Sequence, residues 1–211
     1  MNDSFPLPRR RPIPPDAAAL IAAGLDGPTG LPRRDAFLTI LHRRADPSPA
    51  PGSRFVLLVM EFVSQQGRGE PVGKRLLGAA ARRLRACIRA SDLAGRLGPD
   101  EFGILLPDPT DARDGIGMGA RLVTLMAQPF LLDEHAIAAF CRIGIATYPD
   151  DALDAAGLLA CAGLALDQAR RSGSGGLSRS VPAPGGRAGF VLTRLAAHPG
   201  IEAGPRGGAM G

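Results

Sequence analysis

The sequence predicts an α+β sandwich, with helices packed against a largely antiparallel sheet. Three observations carry this. Residues 55–63, FVLLVMEFV, form a continuous apolar run that suits a strand buried on both faces. Two pairs of strand-like segments are joined by short turns, which makes each pair an antiparallel hairpin. Between them stand longer segments whose apolar residues recur with helical spacing.

The elements follow in order. Residues 1–25 open with PLPRRRPIPP, whose prolines forbid regular structure, and only Ala17 to Leu25 could form a helical turn or two. Asp35 to Arg44 spaces Phe37, Leu38, Ile40 and Leu41 as a helix does. The strand at 55–63 comes next, interrupted by Glu61. Val72 to Ile88 is a strong helix, with Leu76, Leu77, Ala80, Leu84 and Cys87 on one side and basic residues elsewhere. Leu93–Leu97 and Phe102–Leu106 flank the turn Gly98-Pro99-Asp100. Asp111 to Ala127 is a second long helix. Phe130–Leu132 and Ala136–Tyr148 flank Asp133-Glu134 as another hairpin, and Ala155 to Arg171 is a last helix. Beyond about 175 the chain is rich in glycine and proline. The expected organisation is therefore a tail at 1–25, one folded domain at 26–175 and a mobile tail at 176–211, with at most a short strand at Phe190–Leu192.

Composition narrows the function classes. The 211 residues are 45% apolar and 21% charged, the balance of a soluble globular protein. No apolar run approaches the roughly 20 residues of a membrane span, and the N-terminal arginines lack the apolar run and cleavage site of a secretory signal. A cytoplasmic protein with no membrane partner is expected. Cys87, Cys141 and Cys161 match neither a disulfide framework nor a zinc spacing and read as buried thiols. The net charge of +5 comes from arginines spread along the chain, with one Tyr and no Trp. That argues against nucleic acid as a partner, because stacking platforms are scarce.

The stretch GPDEF at 98–102 is the most informative. Two adjacent acids, Asp100 and Glu101, sit at a hairpin tip, and successive strand residues face opposite sides. Glu61 stands in an otherwise apolar strand, where an unpaired carboxylate is expensive to bury. Two acids brought together from separate strands suit a hard divalent cation carrying a nucleotide's phosphates. A solvated turn beside a strand-end Glu accounts for the same residues.

Four motifs in order resemble the GGDEF family of diguanylate cyclases. Asp26-Gly-Pro-Thr-Gly-Leu31 with Pro-Arg-Arg-Asp-Ala-Phe37 resembles D-x-L-T-G-L-x-N-R-x-x-F. Arg96 to Phe102 resembles R-x-G-G-D-E-F, Ile143 to Asp150 resembles S-I-G-I-A-x-Y-P, and Ala169-Arg-Arg-Ser-Gly173 resembles A-K-x-x-G. The resemblance covers nearly all of 26–175. It implies a GGDEF-type, nucleotidyl cyclase-like sandwich that condenses two GTP into cyclic di-GMP across an antiparallel dimer. It implies two metal ions, Mg2+ or Mn2+, between a first-strand carboxylate and the third signature residue, here Glu61 and Asp100. Asp100 and Glu101, with Gly98 and Pro99, would form the catalytic hairpin, and Arg170 would take the place of a phosphate-binding Lys.

The departures from the pattern predict impaired or absent cyclase chemistry. Pro99 replaces a glycine and removes a backbone donor. Glu61 replaces an Asp, Val63 replaces the second acid of D-x-D, Arg142 replaces a serine, and Gly163 replaces an acid. SQQGRGEPVGK at 64–74 offers no counterpart for the family's guanine readers. Arg89-Ala-Ser-Asp92, placed just before the signature, matches the family's product-binding R-x-x-D. Arg offers a planar fork to phosphate, and Asp accepts from guanine N–H groups. Taken alone, this spacing also reads as a helix-end Arg followed by the first residue of a strand. The expected function is a degenerate GGDEF domain that binds cyclic di-GMP at Arg89 and Asp92 rather than making it, with GTP a doubtful ligand. An active cyclase, with a cofactor only in that case, and a nucleotide-free interaction module are the alternatives. A homodimer or a partner GGDEF or signalling protein is the expected assembly.

Overall fold

The computed structural model describes residues 19, 21–22, 24–45, 53–65, 73–109, 113–172, 175–182 and 188–193. Of the helical turns expected at 17–25, residues 19, 21 and 22 are helical, while 17, 18, 20 and 23 lie outside the described residues, as do Val72 and residues 110–112. Among the described residues, four longer helices are α1 (Arg34–Arg44), α2 (Lys74–Cys87), α3 (Arg113–Met126) and α4 (Ala155–Arg171). The strands are β1 (Phe55–Ser64), β2 (Leu93–Arg96), β3 (Glu101–Pro107), β4 (Phe130–Leu132), β5 (His135–Ile137), β6 (Ala139–Tyr148), β7 (Gly176–Pro182) and β8 (Ala188–Thr193). Six of them form one sheet in the order β2-β3-β1-β6-β7-β8, and β4-β5 form a separate hairpin. All pairings in the large sheet are antiparallel except β6 with β7. This is the expected α+β sandwich.

Two layers of side chains explain the apolar run in β1. Val56, Leu58, Met60 and Phe62 face the layer formed by α2 and α3, where Leu77, Leu84, Leu122 and Met126 are buried. Phe55, Leu57 and Val59 face α1 and α4, where Phe37, Leu41, Leu158 and Leu166 are buried. Alternate residues thus serve opposite cores, so no position before Glu61 can be polar. A trough of small residues lets the second layer approach. Gly95 and Gly103 lie opposite each other, and a Cβ on either would fall within 3 Å of the Phe37 side chain. Gly144 in β6 is tighter still, with a virtual Cβ 2.0 Å from the Ala162 carbonyl oxygen of α4.

The structure corrects two boundaries. The segment expected as a single strand at 136–148 divides into β5 and β6, and Gln65 donates to the Ala138 carbonyl at the break. The more consequential difference lies beyond 175. There the expected tail instead supplies β7, parallel to β6, and β8, antiparallel to β7. Leu177 is fully buried in the core of the α2/α3 layer. α4 carries the chain back beside β6, a strand–helix–strand crossover that gives β7 a template its Gly/Ser/Pro composition does not reveal. The expected strand Phe190–Leu192 lies within β8. Cys87 and Cys141 are buried and Cys161 partly so. Burial pushes the Cys141 thiol far up, and the Cys87 thiol up as well.

Candidate functional site

The hairpin of β2 and β3 carries the signature residues. Leu97 and Gly98 both donate their N–H groups to the Glu101 carbonyl, at 2.8 and 3.2 Å. Arg96 braces the tip: Nε donates to Gly98 O at 3.0 Å and Nη2 to Pro99 O at 2.6 Å. Its Nη1 reaches both Asp26 oxygens at 3.0–3.1 Å. Asp26 also accepts from the Thr29 N–H and hydroxyl, so the opening motif is a turn that props the hairpin. Burial tends to raise the Asp26 pKa, but the hydrogen bonds from Thr29 and Arg96 and the Arg96 charge outweigh it and hold the carboxyl below its ordinary range. Pro99 has no N–H and the Gly98 N–H is spent inside the turn. The hairpin therefore offers no backbone donor from either residue.

The carboxylates come together differently from the sequence expectation. In the register, Glu61 lies opposite Glu101 in β3 and opposite Arg142 in β6, so the three form one row across the sheet. Glu61 Oε2 accepts from Arg142 Nη1 at 2.9 Å, and Oε1 accepts from Arg170 Nε at 3.1 Å. Arg170, in the last turn of α4, also donates to Glu101 Oε1 at 3.0 Å and to Asp167 Oδ1 at 2.8 Å. Burial opposes the Arg170 charge, yet its hydrogen bonds to Asp167 and Glu101 and the attraction of Glu61 and Glu101 raise its pKa. Asp100 is half-buried at the tip, where its carbonyl accepts from the Phe62 N–H at 2.9 Å.

These residues do not fit the two metal ions that the resemblance implies. Hard cations need several oxygen ligands at short range. Here both Glu61 oxygens accept from guanidinium groups, and one Glu101 oxygen does so as well. Among the described residues, no three His, Cys, Asp or Glu side chains converge to hold a metal ion. The pair Glu61 and Asp100 expected for a metal is thus replaced by a carboxylate row bound to arginines. Position accounts for the difference: Glu61 pairs in register with Glu101, one residue past Asp100, and Arg142 stands on its other side.

A second place lies where α2 gives way to β2. Asp92 Oδ2 accepts from the Arg89 N–H at 2.8 Å, and the Asp92 N–H donates to the Arg89 carbonyl at 3.0 Å. The two ends of R-x-x-D therefore hold each other in a tight loop. They line a cleft of about 370 Å³, which Arg113 and Arg121 of α3 also line. Arg96, another arginine close by in sequence, is committed to the hairpin. Sequence reasoning missed Arg113, Arg121, Asp26 and Asp167 as partners. Only the i, i+3 spacing of Asp167 and Arg170 on one helix was available as a signal.

A six-stranded sheet with helices on both faces, a braced acidic hairpin and a preceding R-x-x-D loop define a nucleotidyl cyclase-like signalling domain. The family model "Diguanylate cyclase, GGDEF domain" matches residues 23–175, and the chain belongs to this family. It is 31% identical over 155 residues to the bifunctional diguanylate cyclase/cyclic di-GMP phosphodiesterase MucR of Pseudomonas aeruginosa, covering 72% of this chain and 22% of that protein. It is 32% identical over 155 residues to the diguanylate cyclase TpbB of the same species, covering 71% and 36%. The chain thus spans only about a fifth to a third of these two relatives. A crystal structure of a sensory box/GGDEF family protein from Caulobacter crescentus is similar at TM-score 0.63 and 30% identity, covering 70% of this chain and 98% of that one. Among the described residues, no helix is long and apolar enough to cross a membrane.

Proposed function

We propose that this GGDEF domain of cyclic di-GMP signalling binds cyclic di-GMP through Arg89 and Asp92 and does not make it. The cleft carries this reading. A cyclic dinucleotide presents two phosphodiesters and two guanines. Arg89, Arg113 and Arg121 line one cleft with Asp92, so guanidinium forks suited to phosphate stand beside a carboxylate that can accept from guanine N–H groups. Against synthesis stand Pro99, the arginine-bound Glu61 and the missing guanine readers. Names of the relatives supply the ligand class, since MucR and TpbB are named for making or hydrolysing cyclic di-GMP. A cytoplasmic location, where GTP and cyclic di-GMP are found, belongs to the same reading.

Calorimetric titration of cyclic di-GMP into the full chain tests it. Saturable binding that weakens with salt is expected. Arg89→Ala should weaken it by at least about tenfold, from the roughly 1.5–3 kcal/mol of a charge-assisted hydrogen bond. No heat at about 1 mM ligand would reject the reading. Stable co-purification of another protein in that case would favour the nucleotide-free interaction module. Incubation with GTP and Mg2+ or Mn2+ should yield no cyclic di-GMP. Formation that disappears in Glu61→Ala and Asp100→Ala would restore the cyclase.

A further inference from the structure

We propose that Arg142 is a built-in substitute for a divalent cation: its guanidinium holds Glu61 and by itself excludes metal from the carboxylate row. The inference goes beyond the cyclic di-GMP reading and shares no residue with the Arg89 cleft.

Placement comes first. Directly opposed residues on neighbouring strands put their Cβ atoms about 5 Å apart, and Glu101, Glu61 and Arg142 occupy three adjacent strands in one row. Arg142 is therefore delivered to Glu61 by the sheet, without needing a flexible reach. Both side chains are mostly buried, at 18% and 15% exposure for Arg142 and Glu61. The guanidinium carbon lies 5.0 Å from the centre of the Phe140 ring, two residues earlier on the same face of β6. Its Nε is buried and, among the described residues, finds no hydrogen-bond partner. An arginine leaving a donor unsatisfied is held by its other contacts, and those are Glu61 and the ring.

Chemistry makes this placement exclusive. Arg stays charged at any pH the fold survives, so it cannot yield to a cation by losing a proton. A divalent ion at Glu61 would meet that positive charge in a partly desolvated place, where repulsion is weakly screened. Arg170 differs. Its side chain is 36% exposed at the end of α4 and keeps its own acid, Asp167, so it can leave Glu61 and remain paired. Three carboxylates, Glu61, Glu101 and Asp167, face two guanidiniums. Without Arg142 the excess of negative charge grows, and Glu61 Oε2 becomes available beside Glu101.

Mn2+ binding to the full chain, followed by electron paramagnetic resonance, tests this without reference to activity. The wild-type protein should show no saturable Mn2+ site that depends on Glu61. Arg142→Ser should acquire one site, at least about tenfold tighter than any wild-type binding. Adding Glu61→Gln should abolish it, and Arg142→Lys should behave as wild type. Arg142→Gln, which keeps the length of the side chain and drops the charge, decides the matter should the serine variant fail to fold; it should gain the same site. Wild-type Mn2+ binding that Glu61→Gln removes would overturn the proposal, and so would serine or glutamine variants that bind no better than wild type. Cyclic di-GMP titration of the same variants separates the two readings, since loss of either result leaves the other standing.

Discussion

Gly144 sets how closely helix and sheet can approach. A methyl group there would meet the backbone of α4, at Ala162 O and Leu166 N, and no side-chain rotation relieves a backbone contact. Gly144→Ala should destabilise the fold at or beyond the upper end of the roughly 1–3 kcal/mol typical of overpacking, read as a lowered thermal midpoint. Asp26 gives a pH signature at the same scale. Its carboxyl is held below the ordinary range in the folded chain by Thr29 and Arg96, despite the opposing effect of burial. A carboxyl depressed on folding stabilises the native state above its unfolded pKa, about 3.9 for Asp, and that contribution is lost as pH falls through the folded value. Wild type should therefore exceed Asp26→Asn in urea midpoint at pH 7. The gap should close below about pH 4. A gap that widens in acid would reject this account of Asp26.

β7 is the element whose contribution is easiest to measure. It lies between β6 and β8, and Leu177 enters the core beside Ile143 and Ile145. Its neighbour Ser178 is also fully buried. Leu177→Ala should cost about 2–4 kcal/mol, the range for deleting a fully buried leucine side chain. The measurement is a urea midpoint with an unchanged slope, because a cavity leaves the surface exposed on unfolding about the same. Ending the chain at Gly175 should have a larger effect. It would bare the β6 edge and remove Leu177 from the core, and an uncovered edge promotes association. Size-exclusion chromatography of the shortened chain should show oligomers or aggregate where the full chain gives a discrete species.

Across the whole molecule the two candidate places are separated by the length of a strand. Glu101 begins β3 and Pro107 ends it, next to the cleft lined by Arg89 and Asp92. Six residue steps of extended chain put them about 20 Å apart. Substitutions that far apart with no shared partners act independently. Glu61→Ala should therefore leave cyclic di-GMP affinity within about twofold of wild type, while Arg89→Ala lowers it. Equal losses in both variants would mean that the ligand depends on the carboxylate row as well as the cleft, and that the two places do not act independently.

The order of helices and strands was legible because it is written locally. The 55–63 run, the two hairpin turns and the α4 heptad-scale spacing each lie within about twenty residues, so periodicity alone reports them. The family motifs were legible for the same reason, each being a short turn or strand. Two things were not. β7 reads as a Gly/Ser/Pro tail because its stability comes from the β6 edge and the helices covering it, not from its own residues. Arg142 reads as a lone departure from a serine, since its partner Glu61 is 81 positions away and only the register of β1 with β6 joins them. The same holds for Arg113 and Arg121, which α3 brings to Arg89. The sequence by itself determined the elements and the chemical types available. Tertiary pairing decided which charges meet, because Coulomb attraction and desolvation depend on distance and burial, and neither is a local property of the chain.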